Sequence, residues 1–201
     1  MLCSVIDDYL PDSLHDHVCQ CVLNNQFPWF YLEDITREFP RENEYRQPGL
    51  QNTPYAHGRV NNQFYDSISF LPSMMATTIQ EMTKYSRERL ILTRLRVGLN
   101  HPIIDFASKF EVPYNFPHRD YDEEVAEKKH FTLLYYVNES DGDTYVFEEQ
   151  KELTDITQYT IHKQVTPKQN RLLVFDGEQY HASSSPLKCD RRVVITVNFM
   201  V

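Results

Sequence analysis

From residue 91 onward the chain reads as a series of short β-rich runs, "LILTRLRVGL", "HFTLLYYVNE", "DTYVFEE", "RLLVFDG" and "RRVVITVNFMV", each followed by turn-forming residues or the chain end. Strands this short are stable only when several pair and bury one face against another layer. Upstream the period changes. "LPDSLHDHVCQCVLNN" sets Leu14, Val18, Cys21 and Val22 at helical spacing behind Asp12 or Ser13, which predicts a helix from about residue 12 to 25. "SMMATTIQEMTKYSRERL" places Met75, Ile79, Met82 and Tyr85 on one face of a second helix. The intervening "REFPRENEYRQPGLQNTPYAHGRVNNQ" is polar and rich in Pro, Gly and Asn, and reads as a long loop with at most a short strand. The expected class is α+β, mainly β: an antiparallel two-sheet barrel or jelly roll with supporting N-terminal helices. No linker-like stretch interrupts it, so one domain over 1–201 is expected, with 1–90 as helical support and loop and 91–201 as barrel core.

Bulk properties narrow the partners. The net charge is −9, the pI is about 5.3, and no basic run exceeds Lys128-Lys129 or Arg191-Arg192, so the electrostatic footprint of a nucleic-acid binder is missing. "MLCSVIDDYLPDS" lacks the basic-then-apolar order of a secretion signal, and nowhere do 18 apolar residues run together. A soluble, cytoplasmic protein without a membrane partner is expected. Cys3, Cys19, Cys21 and Cys189 offer no second Cys pair to complete a zinc site and read as free thiols.

Within "PHRDYDEE", His118-Arg119-Asp120 has two readings. A kinase catalytic loop needs an Asn where Val125 stands, a Gly-rich phosphate loop and D-F-G, and none of these exists. A metal site needs instead two imidazoles and a carboxylate on one side of an ion, leaving positions open for reactants, which suits non-haem Fe(II). On a strand, His118 and Asp120 point to the same face. A hydrogen-bonded structural His-Asp pair is the plainer alternative. Other histidines are His15, His17, His57, His101, His130, His162 and His181; of these His181, at the end of the apolar run "RLLVFDGEQY", has the most favourable setting. Arg191 and Arg192 open the last strand, where an inward-facing guanidinium suits bidentate capture of a carboxylate.

With these residues in view, residues 90–201 resemble the Fe(II)- and 2-oxoglutarate-dependent oxygenases, and in detail their prolyl 4-hydroxylase-like branch. "PHRD" is similar to the family's H-x-D, "FTLLYYVNESDGDTYVFEE" to its T-x-x-Y-Y-x-N segment, "VTPKQNRLLVFDGEQYH" to the strand leading to the distal His, and "RRVVITVNF" to the closing R-x-x-x-T strand. The resemblance implies a double-stranded β-helix of the jelly-roll or cupin kind. It implies His118, Asp120 and His181 as iron ligands and as the catalytic centre through that iron. Arg192, rather than Arg191, would bind the 2-oxoglutarate C5 carboxylate, with Tyr136 donating to the same group. Fe(II) would be the metal, 2-oxoglutarate and O2 the co-substrates, and ascorbate a further cofactor candidate. The implied reaction is hydroxylation of a C–H bond of a prolyl residue or other peptide or protein side chain, with decarboxylation of 2-oxoglutarate to succinate. A free amino acid or small molecule is the alternative substrate, and a non-catalytic metal-binding barrel the alternative class. Two departures stand out. Leu99 and Asn100 fall where several prolyl hydroxylases carry a co-substrate tyrosine, and Gly142-Asp143 replaces a glycine pair. Asp120 is retained, unlike in the related halogenases. Residues 40–63 and 121–130, including the acidic run Asp122 to Glu124, are expected at the rim of the site.

Overall fold

The computed structural model describes residues 1–36, 46–103, 111–120 and 128–201. Two antiparallel sheets make the framework. The larger contains β1 (Cys3–Ile6), β2 (Phe30–Leu32), β3 (Gly49–Ala56), β4 (Arg59–Val60), β5 (Ile91–Asn100), β6 (His130–Tyr136), β9 (Arg171–Asp176) and β11 (Arg192–Met200), ordered β1-β9-β6-β11-β5-β3-β2 with β4 on β3. The smaller is β10-β7-β8, from β7 (Thr144–Phe147), β8 (Ile161–Val165) and β10 (His181–Ser183). Between the sheets, Leu134, Tyr136, Val146, Val165, Phe175 and Val194 form one buried cluster with residues from both layers. These features give the mainly β double-stranded β-helix.

Alternation along the strands decides what faces where. The outward residues of β5, β6 and β11, among them Leu95, Val97, Leu133, Tyr135, Ile195 and Val197, pack with Val18 and Val22 of α1 (Asp12–Val22) and Met75 and Ile79 of α3 (Phe70–Met82). The register carries the inward residues of β11 onto inward residues of its neighbours. Arg192 pairs with Asn100; Thr196 pairs with Arg96 and Leu134; Asn198 pairs with Arg94 and Thr132.

Three features differ from the sequence reading. The stretch read as loop holds the eight-residue β3, which pairs β5 through a bulge between Asn52 and Tyr55. Pro54 and the polar Gln51-Asn52-Thr53 hide the alternation, and pairing with β5 overrides their weak propensity. β1 precedes the helices and is recruited by β9, so strands are not confined to the second half. The second helix ends at Met82, which is 36% exposed, and Tyr85 packs from beyond it; a short helix, α2 (Phe64–Ile68), comes before it. Among the described residues no helix is long and apolar enough to cross a membrane. The four cysteines are free thiols. The acidic run Asp122 to Glu124 lies outside the described residues.

Candidate metal centre and anion pocket

His118 does not lie on a regular strand. A single antiparallel bridge ties it to His181, with its N–H donating to the His181 carbonyl at 2.9 Å and the reverse bond at 3.0 Å. Nearby, Asn115 N–H donates to the Ser183 carbonyl at 2.8 Å, so residues 115–118 run along β10 and extend the smaller sheet. The two imidazoles face each other with ring centroids 4.5 Å apart. Asp120 follows at a bend, its Oδ2 3.8 Å from His181 Nε2. One donor atom from each of His118, Asp120 and His181 lies within 4.8 Å of the others, close enough to share one ion.

Hydrogen bonds outside the trio orient it. His118 Nδ1 lies 3.2 Å from the Phe116 carbonyl and His181 Nδ1 3.5 Å from that of Gln179. A proton on Nδ1 in each case leaves Nε2 as the bare nitrogen toward the centre, the arrangement of metal-binding imidazoles. Burial, then the neighbouring His181, pushes the His118 imidazole down to about 3, and burial lowers His181 as well, so both rings are neutral and competent as ligands. Burial pushes the Asp120 carboxyl up, but Arg94, His181 and Arg96 together outweigh it and hold it well below the usual carboxylate range. Arg94 Nη2 is 2.5 Å from Asp120 Oδ1 and Arg96 Nη2 is 3.5 Å from it. Asn198 Nδ2 donates to Oδ2 at 3.0 Å, with Thr132 Oγ1 at 3.5 Å. Two nitrogens and one oxygen, each fixed by an outer partner, fit a non-haem iron or similar divalent ion.

Arg192 stands at the other end of the same wall. It is 6% exposed, whereas Arg191 faces solvent. Its Nη2 donates to Thr144 Oγ1 at 2.8 Å; Tyr136 donates to the same oxygen at 2.8 Å; and Nε has no partner. Among the described residues no carboxylate lies within ion-pair distance of it. A buried guanidinium without a counter-charge is costly, and an incoming carboxylate would relieve it. A narrow cavity of about 60 Å³ joins His118 and His181 to Arg192, walled by Leu134, Thr144 and Val194. Gly98, on the neighbouring strand β5, has open space where a side chain would stand. A larger cavity of about 830 Å³ meets it at His118 and Arg96 and is lined also by Arg94, Arg119, Asp120 and Tyr55.

Several of these residues are absent from the sequence-based candidates. Arg94 and Arg96 are two apart in "TRLRVG" and share the parity of Asn100, so strand alternation alone could have found them. Asn100, in the position of the missing tyrosine, is 3% exposed, lines the narrow cavity and leaves its Nδ2 without a partner. Gly142 carries more than a turn: a Cβ there would lie 2.7 Å from the Ser184 carbonyl oxygen and 3.0 Å from Arg192 Cδ. Of the remaining histidines, His57 and His130 line the larger cavity, and others stand away from the site. His15 Nδ1 meets the Tyr135 hydroxyl at 2.6 Å, His17 the Ser67 carbonyl at 2.9 Å, and His162 is exposed.

Residues 111–200 match the family model of the 2OG-Fe(II) oxygenase superfamily. No curated protein matches the chain in sequence. Solved structures agree in fold. A Trichoplax adhaerens prolyl hydroxylase, in complex with a hypoxia inducible factor oxygen degradation domain peptide fragment, superposes with a TM-score of 0.63 at 18% identity, covering 98% of this chain and 83% of that one. A Pseudomonas putida prolyl-4-hydroxylase gives 0.56 at 14%, covering 98% and 91%. SnoN, a non-heme alpha ketoglutarate dependent epimerase from nogalamycin biosynthesis, gives 0.66 at 10%, covering 98% and 78%. Residues 111–200 thus resemble the 2OG-Fe(II) oxygenase superfamily in sequence, and the chain is similar in fold to solved prolyl hydroxylases.

Proposed function

We propose that residues 1–201 form one oxygenase domain that hydroxylates a C–H bond using Fe(II), O2 and 2-oxoglutarate, with a prolyl residue or other peptide or protein side chain as its target. One observation carries the reading: the narrow cavity has at one end the two imidazoles that cluster with Asp120, and at the other the buried Arg192, which has no carboxylate partner among the described residues. A dicarboxylic co-substrate would need both ends at once. The prolyl hydroxylase complex with its peptide supports a peptide target by likeness of fold.

His118, Asp120 and His181 would hold the metal. When bound, iron and 2-oxoglutarate supply the oxidation, in which one atom of O2 enters succinate, the other enters the substrate C–H bond, and CO2 is lost. The chain's own residues do the positioning. The Phe116 and Gln179 carbonyls fix the imidazole tautomers, while Arg94 and Asn198 hold the Asp120 carboxylate. Arg192 would take the distal carboxylate of 2-oxoglutarate through its unsatisfied N–H groups. Burial raises the Tyr136 phenol, which therefore stays protonated and able to donate. Leu134, Val194 and Ala182 exclude water from the channel between.

A second reading, hydroxylation of a free amino acid or other small molecule, is favoured by the larger cavity, whose volume suits a small ligand. To test the function, protein loaded anaerobically with Fe(II) is mixed with O2 and 2-oxoglutarate alongside a His118→Ala control. Succinate formation above the control with a prolyl peptide or metabolite panel is the expected result. Metal binding and 2-oxoglutarate binding without turnover of any panel member would favour a non-catalytic barrel.

A further inference from the structure

The two guanidiniums on β5 do different things. Arg94 has a settled task, with Nε donating to Asn198 Oδ1 at 3.0 Å and Nη2 against Asp120 Oδ1. Arg96 reaches that same oxygen only at 3.5 Å, too far for a good hydrogen bond, and has no other hydrogen-bond partner among the described residues. Its side chain is 18% exposed and stands where the two cavities meet. Even after burial and Arg94 lower it to about 10, it remains a cation at neutral pH.

Charge is out of balance around it. Among the described residues, four guanidiniums line the two cavities, those of Arg94, Arg96, Arg119 and Arg192, against the carboxylates of Glu33, Asp34 and Asp120. Glu33 is already paired with Arg46, so among the described residues the walls carry an excess of two positive charges in a chain whose net charge is −9. A divalent cation and the 2-oxoglutarate dianion cancel one another, so loading the site does not remove the excess. Part-buried cations in this position favour an anion on the ligand that fills the larger cavity.

We infer that Arg96, backed by Arg94, binds a carboxylate of the substrate beside Asp120, so that the molecule hydroxylated carries a carboxylate close to its reacting carbon. The inference rests on the proposed function, which puts the reacting centre at Asp120. Beside Asp120, Arg96 has N–H donors to spare, enough for the two oxygens of one carboxylate. The carboxylate has two possible sources: a small acid such as a free amino acid, or an acidic side chain next to the target residue in a peptide.

The test uses the full chain loaded with redox-silent Mn(II) in place of iron. Binding of 2-oxoglutarate, measured first by calorimetry, checks the functional reading. Two arms follow on the loaded protein. One titrates the free amino acids against their amides; the other titrates acetylated prolyl dipeptide amides with Asp or Glu beside the proline against the same peptides with Asn or Gln. Acids binding at least about tenfold more tightly than their neutral partners in either arm are expected, and the arm in which this occurs identifies the source. Arg96→Gln should remove the preference and Arg96→Lys should keep part of it. Equal affinity of acid and neutral forms in both arms, no binding in either, or a preference that survives Arg96→Gln overturns the inference. Failure of 2-oxoglutarate to bind, with the acid preference intact and dependent on Arg96, overturns the functional reading and leaves the carboxylate subsite supported.

Discussion

β5, β6 and β11 present two faces of opposite character. Ile195 and Val197 look outward with Leu133 and Tyr135 into the apolar layer beneath α1 and α3, while on the same strand Thr196 looks inward to the narrow cavity and Asn198 to Asp120. Tyr135 and Tyr136 divide in the same way. The first bonds to His15 in the helical layer; the second bonds to Thr144 beside Arg192. Adjacent residues of one strand therefore serve stability and chemistry in alternation, and a substitution should affect one without the other.

The largest effect is expected on the inward side. His181→Ala removes one of three proposed ligands, and divalent-metal affinity should fall at least about 100-fold, beyond what loss of an outer partner usually does. Succinate formation should drop to background while the thermal unfolding midpoint of the metal-free protein stays near that of wild type. Equilibrium dialysis with Mn(II) and a melting curve measure both. A variant that unfolds without binding less metal would break the division of labour.

On the outward side, Ile195→Ala opens a hole among fully buried residues and should destabilise the fold by about 2–5 kcal/mol. Denaturant titration reads this directly. Its 2-oxoglutarate affinity should match wild type under conditions where it is folded. Next in size is the pair of arginines. Arg192→Gln should weaken 2-oxoglutarate binding by about 10–100-fold, the value of a charge-assisted hydrogen bond, and Arg191→Gln by less than about twofold. The reverse order would mean that β11 is read in the wrong register.

The sequence makes the outward face and much of the inward one readable, because a two-residue period is a local property. "HFTLLYYV" and "RRVVITVNF" declare their strands, and parity then sorts Tyr136 from Tyr135 and Arg192 from Arg191. His118 and Asp120 were expected to share a face by lying on a strand, yet a single bridge to His181 and a bend bring them together. That arrangement depends on a partner 63 residues away, which no local pattern encodes. β3 was illegible for a related reason: its polar, proline-containing sequence is held as a strand by β5. Arg94 and Arg96 had the right parity, but as residues of a strand in an acidic chain they resemble ordinary solvated charges until the bulk of the barrel closes over them.

Gly142 gives the smallest effect and the finest test of where the two roles meet. The turn holding it is pinned to the loop before β11 by Asp141, whose carboxylate accepts the backbone N–H groups of Leu187, Lys188 and Cys189. That attachment brings Gly142 against the Ser184 carbonyl and the Arg192 stem, where a methyl group has no room. The Ser184 oxygen is backbone and cannot swing aside, so Gly142→Ala must shift the turn, which either moves clear of the Arg192 stem or presses on it. Overpacking of this kind should cost about 1–3 kcal/mol of stability. If the turn yields, the loss appears in the melting curve and 2-oxoglutarate affinity is unchanged. Should Arg192 yield instead, a few-fold loss of 2-oxoglutarate affinity accompanies a smaller change in stability, and metal binding by His118, Asp120 and His181 is preserved. The expected result is the second, because Arg192 has one hydrogen bond to Thr144 holding it, whereas three N–H donors hold Asp141 and the turn. An unchanged affinity would show that Arg192 is fixed by the barrel wall and not by the turn that packs on its stem.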